Sequence, residues 1–129
     1  MEGKTAVRTE EAPAPFQGAP YSQAIRAGDF VFVSGQLALQ PDHAEIVGDS
    51  IGEQTEQVFA NLRAILEAAG SGLDRIVKTT VYLADLGDFA GMNEVYARHV
   101  GDVPPARATV EIAALPSGAK VEIEAVATL

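Results

Sequence analysis

Two runs near the C-terminus, Ala106–Ile112 and Ala119–Ala127, alternate apolar residues with polar or charged ones. The polar set is Arg107, Thr109 and Glu111 on the first, and Lys120, Glu122 and Glu124 on the second. Strand side chains have a period of two, so each set shares one face of its strand. An arginine and a carboxylate on such a face support two readings. One is a solvated sheet surface on which Arg107 pairs with Glu111, Glu122 or Glu124. The other is a pocket. A guanidinium presents a planar fork that meets a carboxylate bidentately, which an ammonium cannot copy. A neighbouring glutamate can orient a water and accept its proton. Glu122 and Glu124 lie two residues apart on one face, and spacing alone does not choose between them.

Other chemistries have little to work with. The chain has no cysteine, which removes disulfides, thiolate metal sites and a thiol nucleophile. His43 and His99 are its only histidines and show no H-x-x-H or H-E-x-x-H spacing, so no metal is expected. A formal charge of −9 with no cluster of Lys and Arg disfavours a nucleic-acid partner. No apolar run approaches membrane-spanning length and the N-terminus has no apolar leader, so a soluble cytoplasmic protein is expected. At 129 residues, 47% of them hydrophobic and 21% charged, the whole chain 1–129 reads as one domain able to bury its own core.

The elements that must position these groups follow from periodicity. Residues 10–20, EEAPAPFQGAP, read as an extended connector. Ser22–Ala27 and Phe30–Ser34 flank Gly28-Asp29, a hairpin signal. Leu37–Asp49 is a loop. Ser50 and Glu53 form a capping box ahead of Val58, Leu62, Ile65, Leu66 and Ala69, whose helical spacing runs to Gly70. Ile76–Ala84 is strand-like, with Val77, Thr79, Val81 and Leu83 on one face. A shorter helix spans about Asp88–His99, carrying Phe89, Met92 and Tyr96 on one side, and Pro104-Pro105 precedes the closing strands. The order is β-β-α-β-α-β-β. Each helix has one apolar stripe, so both belong on the same side of a single sheet. Alternation turns Ala108, Val110 and Ile112, with Val121, Ile123 and Ala125, towards the helices. Arg107 and Glu122 are then expected to share the uncovered face. Taken alone, the two closing runs pair as a hairpin across Leu115–Gly118.

The segments PYSQAI, SGQLAL, VKTTVYLADLGDFAGMNEVYARHV, PPARATVE and ALPSGAKVEIEAVA, in this order, resemble the Rid (YjgF/L-PSP) family of enamine/imine deaminases. The likeness runs from about residue 5 to the C-terminus. It implies an α+β, chorismate-mutase-like fold, a mixed sheet with two helices packed on one face. It also implies a homotrimer with a cleft at each subunit interface. In that fold the 76–84 strand lies between the two closing strands, against the hairpin reading. The resemblance implies hydrolysis of reactive 2-imino or 2-enamino acids, such as 2-iminobutanoate and 2-iminopropanoate, to 2-oxo acids and ammonia without metal or cofactor. It places the carboxylate-binding arginine on Arg107 and the water-positioning glutamate on Glu122. Tyr21, Ser34, Asn93 and Thr109 fall in the same pocket. Two positions depart from the family pattern: Ala19 stands where a glycine commonly precedes the PY pair, and Thr109 stands where a cysteine is common. An endoribonuclease activity attached to the L-PSP name and a non-catalytic carboxylate-sensing trimer are the other readings. The acidic charge opposes the first, and the presence of both Arg107 and Glu122 opposes the second.

Overall fold

The computed structural model describes residues 3–129. Six strands form one sheet: β1 (Thr5–Val7), β2 (Ala24–Ala27), β3 (Phe30–Gln36), β4 (Ile76–Leu83), β5 (Ala106–Glu111) and β6 (Val121–Thr128). Their spatial order is β1-β2-β3-β6-β4-β5, antiparallel except for the parallel β4–β5 pair. Strand β4 therefore separates β5 from β6, and the hairpin expected from local pattern does not form. The connection through residues 112–120 instead crosses the end of β4, where Leu83 accepts from the Ile112 N–H and Lys120 accepts from the Ala84 N–H. Strand β1, unanticipated in the sequence, adds an edge by pairing with β2.

Two helices, α1 (Ile51–Ala68) and α2 (Phe89–His99), cover one side of the sheet. The capping box of α1 is complete: Ser50 Oγ accepts from the Glu53 N–H at 3.1 Å and Glu53 Oε1 accepts from the Ser50 N–H at 3.1 Å. Gly70, at φ 88°, closes the other end. The N–H of Ser71 reaches Leu66 O and that of Gly70 reaches Glu67 O, a Schellman pair that needs a left-handed residue there. Phe59, Leu62, Ile65 and Leu66 of α1 are fully buried against Val31, Val81, Val121 and Ile123. Each such side chain contributes about 1.5–3 kcal/mol. Helix α2 docks on α1 through the edge-on ring pair Phe59–Tyr96, the Phe59–His99 stack, the Glu56–Arg98 ion pair and the Glu56–His99 hydrogen bond. No helix among the described residues is long and apolar enough to cross a membrane.

The two sides of the sheet differ. Thr79, Val81 and Leu83 face the helices as expected, but a register shift between Ile76 and Lys78 leaves Val77 exposed. The uncovered side carries Phe30, Phe32, Lys78, Thr80, Tyr82, Glu122, Glu124 and Val126, read from the strand register. Ala106, Ala108 and Val110 of β5 share that side, as the cross-strand partners of Lys78, Thr80 and Tyr82. The expectation that Ala108 and Val110 face the helices is therefore reversed. Strand β5 is an edge strand, and none of its residues belongs to the main buried core. Apolar alternation there does not mark the helix side.

Candidate active site

Arg107 pairs across the parallel ladder with Thr79, which is fully buried beneath α2. Residues opposite one another in a ladder share a face, so Arg107 emerges on the helix side. Its Nη1 donates to Asn93 Oδ1 at 2.7 Å, and its guanidinium carbon lies 4.7 Å from the Tyr96 ring centre and 5.5 Å from that of Phe89. Phe89, Asn93 and Tyr96 stand four and then three residues apart, which places them on one stripe of α2. None of the ion pairs among the described residues involves Arg107, and Glu111 instead accepts from the Leu86 N–H at 2.8 Å. Thr109, two residues on and on the same face, has a buried hydroxyl with no hydrogen-bond partner among the described residues.

Glu122 occupies the opposite side. Its direct cross-strand neighbour is Tyr82, and its carboxylate lies over Gly35, where a side-chain carbon would collide with it. A bulge in β3 makes this possible. Between the pairs Val33–Ala125 and Gln36–Ile123, both Ser34 and Gly35 oppose Glu124. Burial first, and then the charge of Glu124, push the Glu122 carboxyl above the usual carboxylate range. Tyr82 is raised as well, by burial and then by Glu124. Ser34 Oγ donates to Ser22 O at 2.6 Å, and the adjacent Tyr21 is half exposed, its hydroxyl oxygen accepting from the Phe16 N–H at 2.6 Å. Beside Glu124, a hollow of about 270 Å³ is bounded by Phe32, Lys78, Thr80 and Val126.

The chain thus holds two clusters. Arg107 and Asn93 meet on the helix side, with Thr109 on the same face of β5, while Glu122 lies on the other side over Gly35; Ser34 and Tyr21 are tied to Ser22 and Phe16 respectively. The expectation that Arg107 and Glu122 share one face of one chain is corrected: the sheet separates them.

Residues 9–129 match the family model described as Endoribonuclease L-PSP. The chain belongs to the Rid (YjgF/L-PSP) family. It is 50% identical over 126 residues to Reactive Intermediate Deaminase A, chloroplastic, of Arabidopsis thaliana, covering 98% of this chain and 66% of that one. It is 43% identical over 121 residues to the 2-iminobutanoate/2-iminopropanoate deaminase of Mus musculus, covering 94% and 88%. A crystal structure of E. coli TdcF with bound serine superposes with a TM-score of 0.89 at 38% identity, covering 97% of this chain and 98% of that one. The six-stranded mixed sheet with two helices is the architecture of solved Rid structures.

Several groups around the two clusters of this Rid chain are not marked as site residues by the sequence. Phe89 and Tyr96 read as an apolar stripe, although their spacing with Asn93 was the signal for a common face. Gly35 and Tyr82 carried no signal of their own, since their proximity to Glu122 depends on the bulge and on strand order.

Proposed function

We propose that this Rid protein is a 2-imino acid deaminase whose site is completed by two copies of the chain. The observation that carries the reading is Arg107, a half-buried guanidinium bonded to a neutral amide and set over aromatic rings, with no carboxylate partner of its own among the described residues. The donors that Asn93 leaves free form a fork for a small carboxylate. Each charge-assisted hydrogen bond is worth about 1.5–3 kcal/mol. The mouse relative's name supplies the substrate class, and the serine of TdcF is a small carboxylate ligand of the same kind.

In this reading, Arg107 of one copy holds the substrate carboxylate and so fixes the imine carbon. Glu122 of the next copy faces that carbon across the interface. Its carboxylate accepts a proton from a water as the oxygen bonds to the protonated imine carbon, giving a tetrahedral amino-alcohol. Glu122 returns that proton to the amine nitrogen, which restores its carboxylate. The C–N bond breaks as the carbonyl forms, and the hydroxyl proton leaves on the departing ammonia as ammonium. Tyr21, Ser34, Asn93 and Thr109 line the cleft. A contact between two different faces of one chain is heterologous and must close into a ring. Three chains of 13.5 kDa make the homotrimer of about 40 kDa that the family resemblance implies. The apolar residues of the uncovered face, Phe32, Val110 and Val126, are buried by that closure.

The test couples the protein to a pyridoxal-phosphate dehydratase that releases 2-iminobutanoate. Faster disappearance of the imine is expected, with RNA cleavage at background because a charge of −9 repels a polyanion. An unchanged imine lifetime overturns the reading. A stable monomer in sedimentation at micromolar concentration overturns the two-copy site.

A further inference from the structure

The helix-side cluster holds Arg107 by more than its hydrogen bond. One hydrogen bond, to Asn93, fixes a point on the guanidinium and leaves its plane free to pivot. The ring of Tyr96, whose centre lies 4.7 Å from the guanidinium carbon, restrains that pivot, because a cation over an aromatic face is attracted to it. Tyr96 is itself fixed. It is buried, packs edge-on against Phe59, and its hydroxyl meets Thr79 Oγ1 at 2.6 Å. Thr79 is in turn the ladder partner of Arg107. The circuit closes: the strand pair sets Thr79 beside Arg107, the hydroxyl pair sets Tyr96 beside Thr79, and the ring restrains the pivot of Arg107. Phe89 flanks the same cation, but at 5.5 Å and 41% exposed, with no polar tie to hold its ring.

We propose that Tyr96, pinned by Thr79, is a positioning residue that fixes the Arg107 plane so that the donors unused by Asn93 meet an incoming carboxylate. This rests on the reading of Arg107 as the carboxylate-binding group and adds what orients it. Neither hydroxyl contacts the ligand in this arrangement. Phenylalanine at 96 keeps the ring and loses the pin, leucine loses both, and valine at 79 removes the pin alone.

The experiment is calorimetric titration of the folded full chain with 2-oxobutanoate, well below each variant's melting temperature. Loss of the stacking face in Tyr96→Leu is expected to raise Kd about tenfold, and loss of the pin in Tyr96→Phe or Thr79→Val about threefold. Val95→Ala is the packing control. Val95 is buried on α2 and approaches Gly52 of α1 rather than Arg107, so it should lower the melting temperature and leave Kd unchanged. A residue that only packs behaves like Val95. Parent-like Kd values in Tyr96→Phe and Thr79→Val, with Tyr96→Leu either parent-like or unable to fold, overturn the inference and leave the Arg107 reading standing. A parent protein that fails to bind 2-oxobutanoate overturns that reading and takes the inference with it.

Discussion

Arg107 and Glu122 are treated in opposite ways by the same sheet. Arg107 sits on an edge strand, yet it has an amide, two rings and a ladder partner to hold it. Glu122 sits on the central strand β6, beside a second carboxylate and over bare backbone, with its carboxyl pushed towards the neutral form. The contrast matches the two tasks proposed for them. A group that must bind is held in place before any ligand arrives. A group that must take a proton works best when its charged state is disfavoured enough to bring its pKa towards the operating pH.

Substitutions can break that comparison. The largest expected effect is in Glu122→Gln, which keeps size and polarity but cannot accept a proton. Turnover of 2-iminobutanoate should fall by about 10²–10⁴-fold, with 2-oxobutanoate affinity changed by less than about twofold. Arg107→Lys keeps the charge and loses the fork. Its kcat/KM should fall about 10²-fold, and calorimetric affinity should fall with it. Parent-rate hydrolysis by either variant would abolish the division of labour. Asn93→Ala leaves the guanidinium one bond short and should weaken 2-oxobutanoate binding about tenfold.

Smaller effects sharpen the contrast. Glu124→Gln removes the second cause of the raised Glu122 value. In the proposed mechanism activity requires ionised Glu122, so the acidic limb of the kcat/KM profile should move to lower pH while the plateau stays near the parent's. If this variant loses the plateau and Glu122→Gln keeps it, the base is Glu124. The least effect is on stability. The folded value of Glu122 lies above its unfolded value, so its contribution is fully present below the unfolded pKa and is lost as pH rises through the folded one. Glu122→Gln should therefore melt slightly higher than the parent at neutral pH, and the gap should close as the pH is lowered past the ordinary carboxylate range.

Local signals were legible where a local cause fixes the structure. The Ser50–Glu53 box, Gly70 and the spacing of Val58, Leu62 and Ile65 place α1 almost to the residue, because capping and burial act within one element. The order of β4, β5 and β6 was not legible from pattern, since a short connection is compatible with either a hairpin or a crossing. The family likeness supplied that order. The face of Arg107 was misread for a related reason. Alternation reports which residues of a strand lie together, but a core tells which side they are on only where a core covers the strand. On β5 the apolar residues Ala108 and Val110 point away from the helices. The types of the site residues were visible in the sequence, whereas their division between two sides belongs to the topology.

The glycine beneath Glu122 has an evolutionary consequence. Gly35 has no left-handed backbone to protect, so alanine fits its conformation, and the group it would displace is the free end of a flexible side chain. A single methyl at this position moves the carboxylate aside and leaves the Arg107 cradle, on the far side of the sheet, untouched. On the proposed reading, one codon then separates a catalyst from a protein that only captures small acids.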